Sequence, residues 1–420
     1  MKISEEFIFY VWKHRRFTST TLPGVNGERI TVKKPGILNS NAGPDFLHSE
    51  IEVDGRTWHG SVEIHCKASD WIKHQHKGDP KYNNLILHVV WENDIEIPEL
   101  SSVPTLEIKS LVSDITLENY QNLQLPYQFI PCETRVDELD DFIVSAWLNR
   151  MLVERLEHKT KSIQDDYLNL RSNLNESFYR LMAKGFGQKI NETGFDLLTR
   201  NLPLKIVLKH ADKLADIEAL LFGVAGLLNN QDDTYAQGLL HRYSHLKSKY
   251  GLEEISVGSW NYMRLRPANF PDVRIAQFAA VIAKSGDFLQ LPNYTPDFKA
   301  LKQLLSVKAS VYWNNHYRFG VESDHKVKWI SDGFFQHLLI NVFVPFVFYY
   351  KRRTGGASFE WVSDILNRLP GEDNKVLRVM QSAGFENNTA GKSQSLYHLY
   401  NTYCSQSKCL SCAIGNAVLS

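Results

Sequence analysis

The chain has 420 residues, more than one compact core usually holds, so two or three domains are expected. Hydrophobic residues make up 43% and charged residues 22%, ordinary globular values that exclude disorder, collagen and coiled coil. Lys plus Arg equals Asp plus Glu at 47 each, which removes any global electrostatic case for a nucleic-acid or membrane binder and leaves only local patches.

Residues 1–17 lack the apolar core and small-residue cleavage site of a signal peptide. Ser4 followed by Glu5 and Glu6 opens a first apolar helix that ends in the basic run Lys13 to Arg16. Strand-like segments follow at Arg29 to Lys33, Phe46 to Val53 and Thr57 to Cys66, the last two joined by the hairpin signal Asp54-Gly55. A short helix is expected over 69–77, and Leu85 to Trp91 reads as a buried strand, apolar on both faces except at His88. The order is α-β-β-β-α-β. Alternation from Pro98 to Ser113 suggests further strands, and a loop holding Pro126, Pro131 and Cys132 comes next.

From Leu139 the apolar spacing turns helical, and similar patterns occupy 170–186, 193–200, 204–228, 234–250, 273–285, 296–305, 334–350, 359–368 and 373–383. The expected division is therefore an α+β domain over 1–130 followed by a larger all-α domain over 131–420. The most apolar run, Phe334 to Tyr350, is broken by Gln336, His337, Asn341 and Pro345, too polar and too short for a comfortable membrane span. A soluble, cytoplasmic chain with no membrane partner is the expectation.

Two residue types are unevenly spread. Seven of the fifteen histidines (His14, His48, His59, His65, His74, His76, His88) lie in the first 90 residues, and three of the five cysteines (Cys404, Cys409, Cys412) crowd the C-terminus. On the strand ending at Cys66, Glu63, His65 and Lys67 project to one face at intervals of about 6.6 Å, opposite an apolar face. Asp45 joins them only if the hairpin departs from a plain two-residue turn. A three-residue loop, or a one-residue bulge with Gly60 the obvious place, would pair Asp45 with His65 and Leu47 with Glu63, bringing two carboxylates within reach of one divalent cation.

Pro44-Asp45 and Glu63-x-His65 within α-β-β-β-α-β resemble the PD-(D/E)XK core of restriction endonucleases and repair nucleases. The resemblance implies that Asp45 and Glu63 bind Mg²⁺ or Mn²⁺ for phosphodiester hydrolysis in DNA or RNA, with Glu5 or Glu6 as a first-helix acid. The family's lysine is replaced by His65, so either His65 serves as base or Lys67 supplies the amine; a catalytically inactive nucleic-acid-binding or scaffold protein of the same fold is the rival reading. Over its length the chain also resembles a bacterial family known only as a domain of unknown function, through segments such as GPDFLHSEI, GSVEIH, DWIKHQH, ILHVVW and RLRPANFPDVRIAQFA.

His74 and His76 read either as an accessory part of this site or as solvated loop residues, and His88 as a core histidine. Cys404-x4-Cys409-x2-Cys412 carries metal-ligand spacing, with Cys132 as the fourth thiolate for structural Zn²⁺ or an iron–sulfur cluster. Arg264, Arg266 and Arg274, set around two prolines, read either as phosphate ligands or as a stiffened structural connection. Tyr312, Trp313, His316, Tyr317 and Phe319 read as base-stacking platforms or as core.

Overall fold

In the computed structural model, residues 3–171, 173–229, 231–284, 297–356 and 359–419 are described. The chain divides into two compact units: Met1–Leu148 with Arg378–Phe385 and Leu399–Ser420, and Asn149–Leu377 with Glu386–His398. The boundary thus falls at Leu148 rather than near 130, and the cysteine-bearing C-terminus belongs to the first unit rather than to the helical one.

The first unit begins with α1 (Glu5–His14). The Ser4 side chain accepts a hydrogen bond from the Phe7 N–H, and Glu5 and Glu6 occupy the positive end of the helix dipole. Phe7, Ile8, Tyr10, Val11 and Trp12 are buried, and the Trp12 indole donates to the Pro35 carbonyl at 2.9 Å.

A mixed sheet follows, built from β1 (Leu22–Pro23), β2 (Arg29–Lys34), β3 (Ile37–Leu38), β4 (Phe46–Val53), β5 (Arg56–Lys67), β6 (Leu85–Glu92) and β7 (Thr105–Glu107). Its order is β1-β2-β4-β5-β6-β7, with β3 paired to the end of β4. β2, β4 and β5 pair antiparallel, and β5, β6 and β7 pair parallel. The β5-to-β6 crossover carries α2 (Asp70–Lys73), a shorter helix than the 69–77 pattern suggests. Of the strands expected between Pro98 and Ser113, one three-residue strand forms, flanked by 3₁₀ turns. Helix α3 (Asp114–Asn122), missed by periodicity, is capped by Ser113.

The β4–β5 hairpin decides the site. Val53 faces Arg56 across a two-residue turn, with Asp54 at φ 48° and Gly55 at φ 82°. That register continues to Ser49 opposite Gly60 and then shifts, so that Phe46 faces Val62. Three residues of β4 therefore match two of β5, and the surplus falls beside His48, an exposed residue at φ 59°. The bulge lies on β4, not at Gly60, and continuing the shifted register by one residue sets Asp45 opposite Glu63 rather than His65.

Among the described residues the other α-helices are α4 (Asp141–Asn169), α5 (Leu174–Asn201), α6 (Leu204–Leu208), α7 (Leu214–Val224), α8 (Thr234–Tyr250), α9 (Pro271–Lys284), α10 (Phe298–Leu305), α11 (Asp332–Leu338), α12 (Val344–Arg353), α13 (Phe359–Asn367), α14 (Lys375–Ser382), α15 (Ala390–Thr402) and α16 (Ala413–Val418). The core of the second unit includes Phe178, Phe195, Leu221, Phe278, Trp313 and Phe343.

A π turn over Leu339–Phe343 joins α11 to α12, giving a 22-residue helix, Asp332–Arg353. Pro345 has no N–H to return to residue 341, and the wider turn absorbs that loss. An 18-residue stretch of it has a mean hydropathy of 1.3, so the helix is long and apolar enough to cross a membrane, contrary to the sequence expectation, yet 67% of that stretch is buried. The polar interruptions are paired there: Gln336 donates to the Pro370 carbonyl, Asn341 to the His337 carbonyl, and His337 Nε2 meets the Gly185 carbonyl.

Candidate metal centre

Asp45 and Glu63 meet directly at the bulged end of the hairpin. The Asp45 N–H donates to Glu63 Oε2 at 3.2 Å, and the Ile64 N–H donates to Asp45 Oδ2 at 2.9 Å. Burial raises the Asp45 carboxyl to about 6 despite the Ile64 hydrogen bond. It raises Glu63 to about 9, with the Asp45 charge adding to the effect. Glu5 is the first-helix acid whose charge reaches both groups. Its own carboxyl is raised by burial, while His74 pulls it the other way. Glu6, one residue on and about 100° around the helix, is exposed. Of the two first-helix acids considered from the sequence, Glu5 is thus the one beside Asp45 and Glu63.

Strand alternation puts His65 beside Glu63, and His65 is 1% exposed. Its Nδ1 lies 2.9 Å from His88 Nε2 on the parallel neighbour β6, and its Nε2 lies 3.1 Å from His74 Nδ1. His76 returns from the loop after α2, its Nε2 3.1 Å from Glu63 Oε1, while His65 Nε2 is 3.5 Å from the same oxygen. Between the two loop histidines, Gln75 adopts φ 58°. His65, His74 and His76 each bring a ring nitrogen to within 4.8 Å of the others.

The imidazoles are walled by aromatic rings. Trp71 stands edge-on to His65, His76 and His88, and Tyr82 lies 4.3 Å from His76, centroid to centroid. Burial, followed by the neighbouring imidazoles, lowers His65 to about 3 and His88 to about 4, so both rings are neutral at pH 7. His88 is a fully buried core residue, as its strand suggests, and it also orients His65. That second role needed the β5–β6 pairing, which sets Glu63 beside His88 and which no local pattern reveals.

Lys67 follows alternation but leaves the site. Its side chain is exposed, its charge acts on Asp94, and its N–H donates to Asp70 Oδ2.

The four cysteines Cys132, Cys404, Cys409 and Cys412 gather in the first unit as free thiols. Burial, then neighbouring cysteines, pushes Cys132 up to about 12 and Cys409 to about 11 and raises Cys404 as well, while burial alone raises Cys412. The N–H groups of Ile414 and Gly415, in the first turn of α16, point at the Cys412 sulfur. A Cβ on Gly415 would lie 2.2 Å from the Cys409 carbonyl oxygen, so only glycine lets that helix close over the sulfurs.

The arginine stretch lies in the second unit. Arg264 and Arg266 are exposed. Arg274, expected among the phosphate ligands, is instead buried: its guanidinium covers the Phe334 ring at 3.4 Å and donates to Asn269 and Gln277. Trp313 and Phe319 are buried against Phe222, so these two aromatics belong to the core.

The fold and site define a two-unit protein: a mixed-sheet α+β unit holding a buried carboxylate–imidazole cluster, and a helical unit. The chain belongs to the family described as "Protein of unknown function (DUF2851)", which it matches over residues 5–375. No curated protein and no solved structure matches it.

Proposed function

We propose that the chain is a metal-dependent hydrolase of phosphodiester bonds in DNA or RNA, built on a restriction-endonuclease-like core. The observation that carries this reading is the bulged hairpin, which sets the Asp45 and Glu63 carboxyls side by side within range of Glu5. Three acids this close keep their charges only beside a cation, which suits Asp45 and Glu63 as Mg²⁺ or Mn²⁺ ligands. Bound there, such a cation supplies an activated water and offsets charge on the phosphoryl group. Glu63 and Asp45 would hold the cation as carboxylates, and Glu5 would add negative charge from the helix side. His65 is neutral and held at both nitrogens, by His88 on one side and by the exposed His74 on the other. The region is slightly acidic, with twelve Lys/Arg against fourteen Asp/Glu over residues 1–100, so the bound cation carries much of the phosphate attraction.

One observation favours the second reading, a nucleic-acid-binding or scaffold protein that has lost catalysis. The position of the family's lysine is taken by His65, and the Lys67 side chain is exposed. Incubation with single- and double-stranded DNA and RNA in Mg²⁺ or Mn²⁺ separates the two. Under the first reading Glu63→Ala lowers cleavage by more than the ~100-fold that outer-shell changes reach. Metal-independent binding without cleavage would instead establish the second.

We also propose that Cys132, Cys404, Cys409 and Cys412 hold a structural Zn²⁺. Four clustered thiols, three buried and Cys409 half-buried, are suited to a cation that deprotonates them all. Elemental analysis decides between zinc and an iron–sulfur cluster, and finding neither metal would remove the site.

A further inference from the structure

The two oxygens of Glu63 face different surroundings. Oε2 takes the Asp45 N–H, whereas Oε1 faces His76 and His65 at 3.1 and 3.5 Å. On the Oε1 side three imidazoles converge from β5 and the loop after α2. The buried His76 Nε2 makes no hydrogen bond there, because its approach to Glu63 is close but out of line. Nitrogen donors at this spacing suit borderline transition metals and are poor partners for Mg²⁺ or Ca²⁺, which prefer all-oxygen shells.

The hydrogen bonding fits such a role. For His65 to offer its Nε2 lone pair, the ring proton must sit on Nδ1, where His88 Nε2 stands at 2.9 Å to receive it. The Trp71 and Tyr82 rings exclude water from one side, while His74 is exposed and leaves an entry from solvent.

We infer that His65, His74 and His76, with Glu63 Oε1 as fourth donor, form a site for a nitrogen-preferring transition metal of the Zn²⁺ class. His88 acts as the positioning residue for His65. The site shares Glu63 with the proposed hydrolytic centre, but its metal preference does not depend on the substrate.

Titration of the metal-stripped full-length protein with Co²⁺ tests this. A nitrogen–oxygen site gives visible d–d absorption without the near-ultraviolet sulfur-to-metal charge transfer of a cysteine site. The expected visible band appears in wild type and in Cys404→Ser/Cys409→Ser, persists in excess Mg²⁺, and is displaced by Zn²⁺. When His74→Ala/His76→Ala, whose changes fall on a partly exposed loop, is added to that cysteine variant, the band disappears while thermal unfolding stays cooperative. His88→Ala weakens Co²⁺ binding by about 10- to 100-fold.

A visible band that survives loss of both loop histidines in the cysteine variant, displacement of Co²⁺ by Mg²⁺, or Co²⁺ absorption of the sulfur type alone would overturn the inference. Mg²⁺-supported cleavage on the same samples keeps the two proposals apart. Cleavage without a Co²⁺ band removes only the histidine site, and a Co²⁺ band without cleavage on any nucleic acid removes only the nuclease reading.

Discussion

Glu63 in the sheet unit and Glu218 in the helical unit are both buried acids, and their surroundings differ in kind. Glu218 is fully buried, and its oxygens accept hydrogen bonds from the Tyr235 and Ser310 hydroxyls. Burial raises its carboxyl, and neutral donors complete its hydrogen bonding without an ion. Glu63 receives one backbone N–H and otherwise meets a second carboxyl group and two imidazole nitrogens. An acid that serves packing is closed by its neighbours, whereas an acid left beside like charge and open lone pairs destabilises the metal-free fold. Evolution retains the second kind where binding or chemistry uses it.

The two acids should therefore respond to mutation with opposite signs. The largest expected stability change is in Glu218→Ala, which empties a fully buried side-chain site and removes the acceptor shared by the Tyr235 and Ser310 hydroxyls, at a cost of about 3 kcal/mol in chemical denaturation. A cost below about 1 kcal/mol would break the comparison from the structural side.

Next is Glu63→Gln, expected to stabilise the metal-free protein while weakening metal binding, and to do so most at alkaline pH. The folded-state Glu63 carboxyl, at about 9, lies above its usual 4.5, so its contribution is fully present below pH 4.5 and is lost as pH rises through 9. His65 and His88 are depressed from 6.5, so their contribution is present above pH 6.5 and is lost as pH falls toward 3 and 4. Between pH 6.5 and 9 Glu63 therefore acts against little opposition from these imidazoles. Wild-type metal-free stability should decline there by at most about 1.4 kcal/mol per pH unit. A Glu63→Gln protein whose pH profile matches wild type would remove Glu63 as the cause.

The smallest effect is expected at His48. Glycine relieves the left-handed strain at the bulge but adds unfolded-state entropy, so His48→Gly should stabilise by no more than about 1 kcal/mol and leave metal binding unchanged. Weakened metal binding in that variant would mean that the His48 side chain, and not just its backbone, holds Asp45 against Glu63.

Much of the sheet unit is legible locally. Apolar alternation places β2, β4, β5 and β6 to within one or two residues, and Asp54-Gly55 announces the turn. In the helical unit, Thr234–Tyr250 is delimited by Asp233 at one end and Gly251 in the left-handed region at the other, both readable signals. The bulge is not legible, because no residue type demands it: His48 carries no turn preference, and the glycine that looked suited to a bulge, Gly60, pairs normally with Ser49. Gly60 has a different reason to be small, since a Cβ there would lie 2.4 Å from the Asn84 carbonyl oxygen. The place of Arg274 is not legible locally for a related reason. Its proline-rich surroundings look exposed, yet the aromatic ring that buries it comes from sixty residues downstream.

The sequence by itself determined which residues could meet on the strand. Period two puts Glu63 and His65 on one face whatever the fold, and the composition marks histidine and cysteine as the uneven resources of the chain. Only the tertiary structure decided that Asp45 faces Glu63 through a surplus residue in β4, and that Glu5 rather than Glu6 turns to the site. It also brought His74 and His76 back to His65 and sent Lys67 away. Strand register, loop return and helix rotation are fixed by contacts between distant parts of the chain, and a one-residue slip exchanges the two faces of a strand.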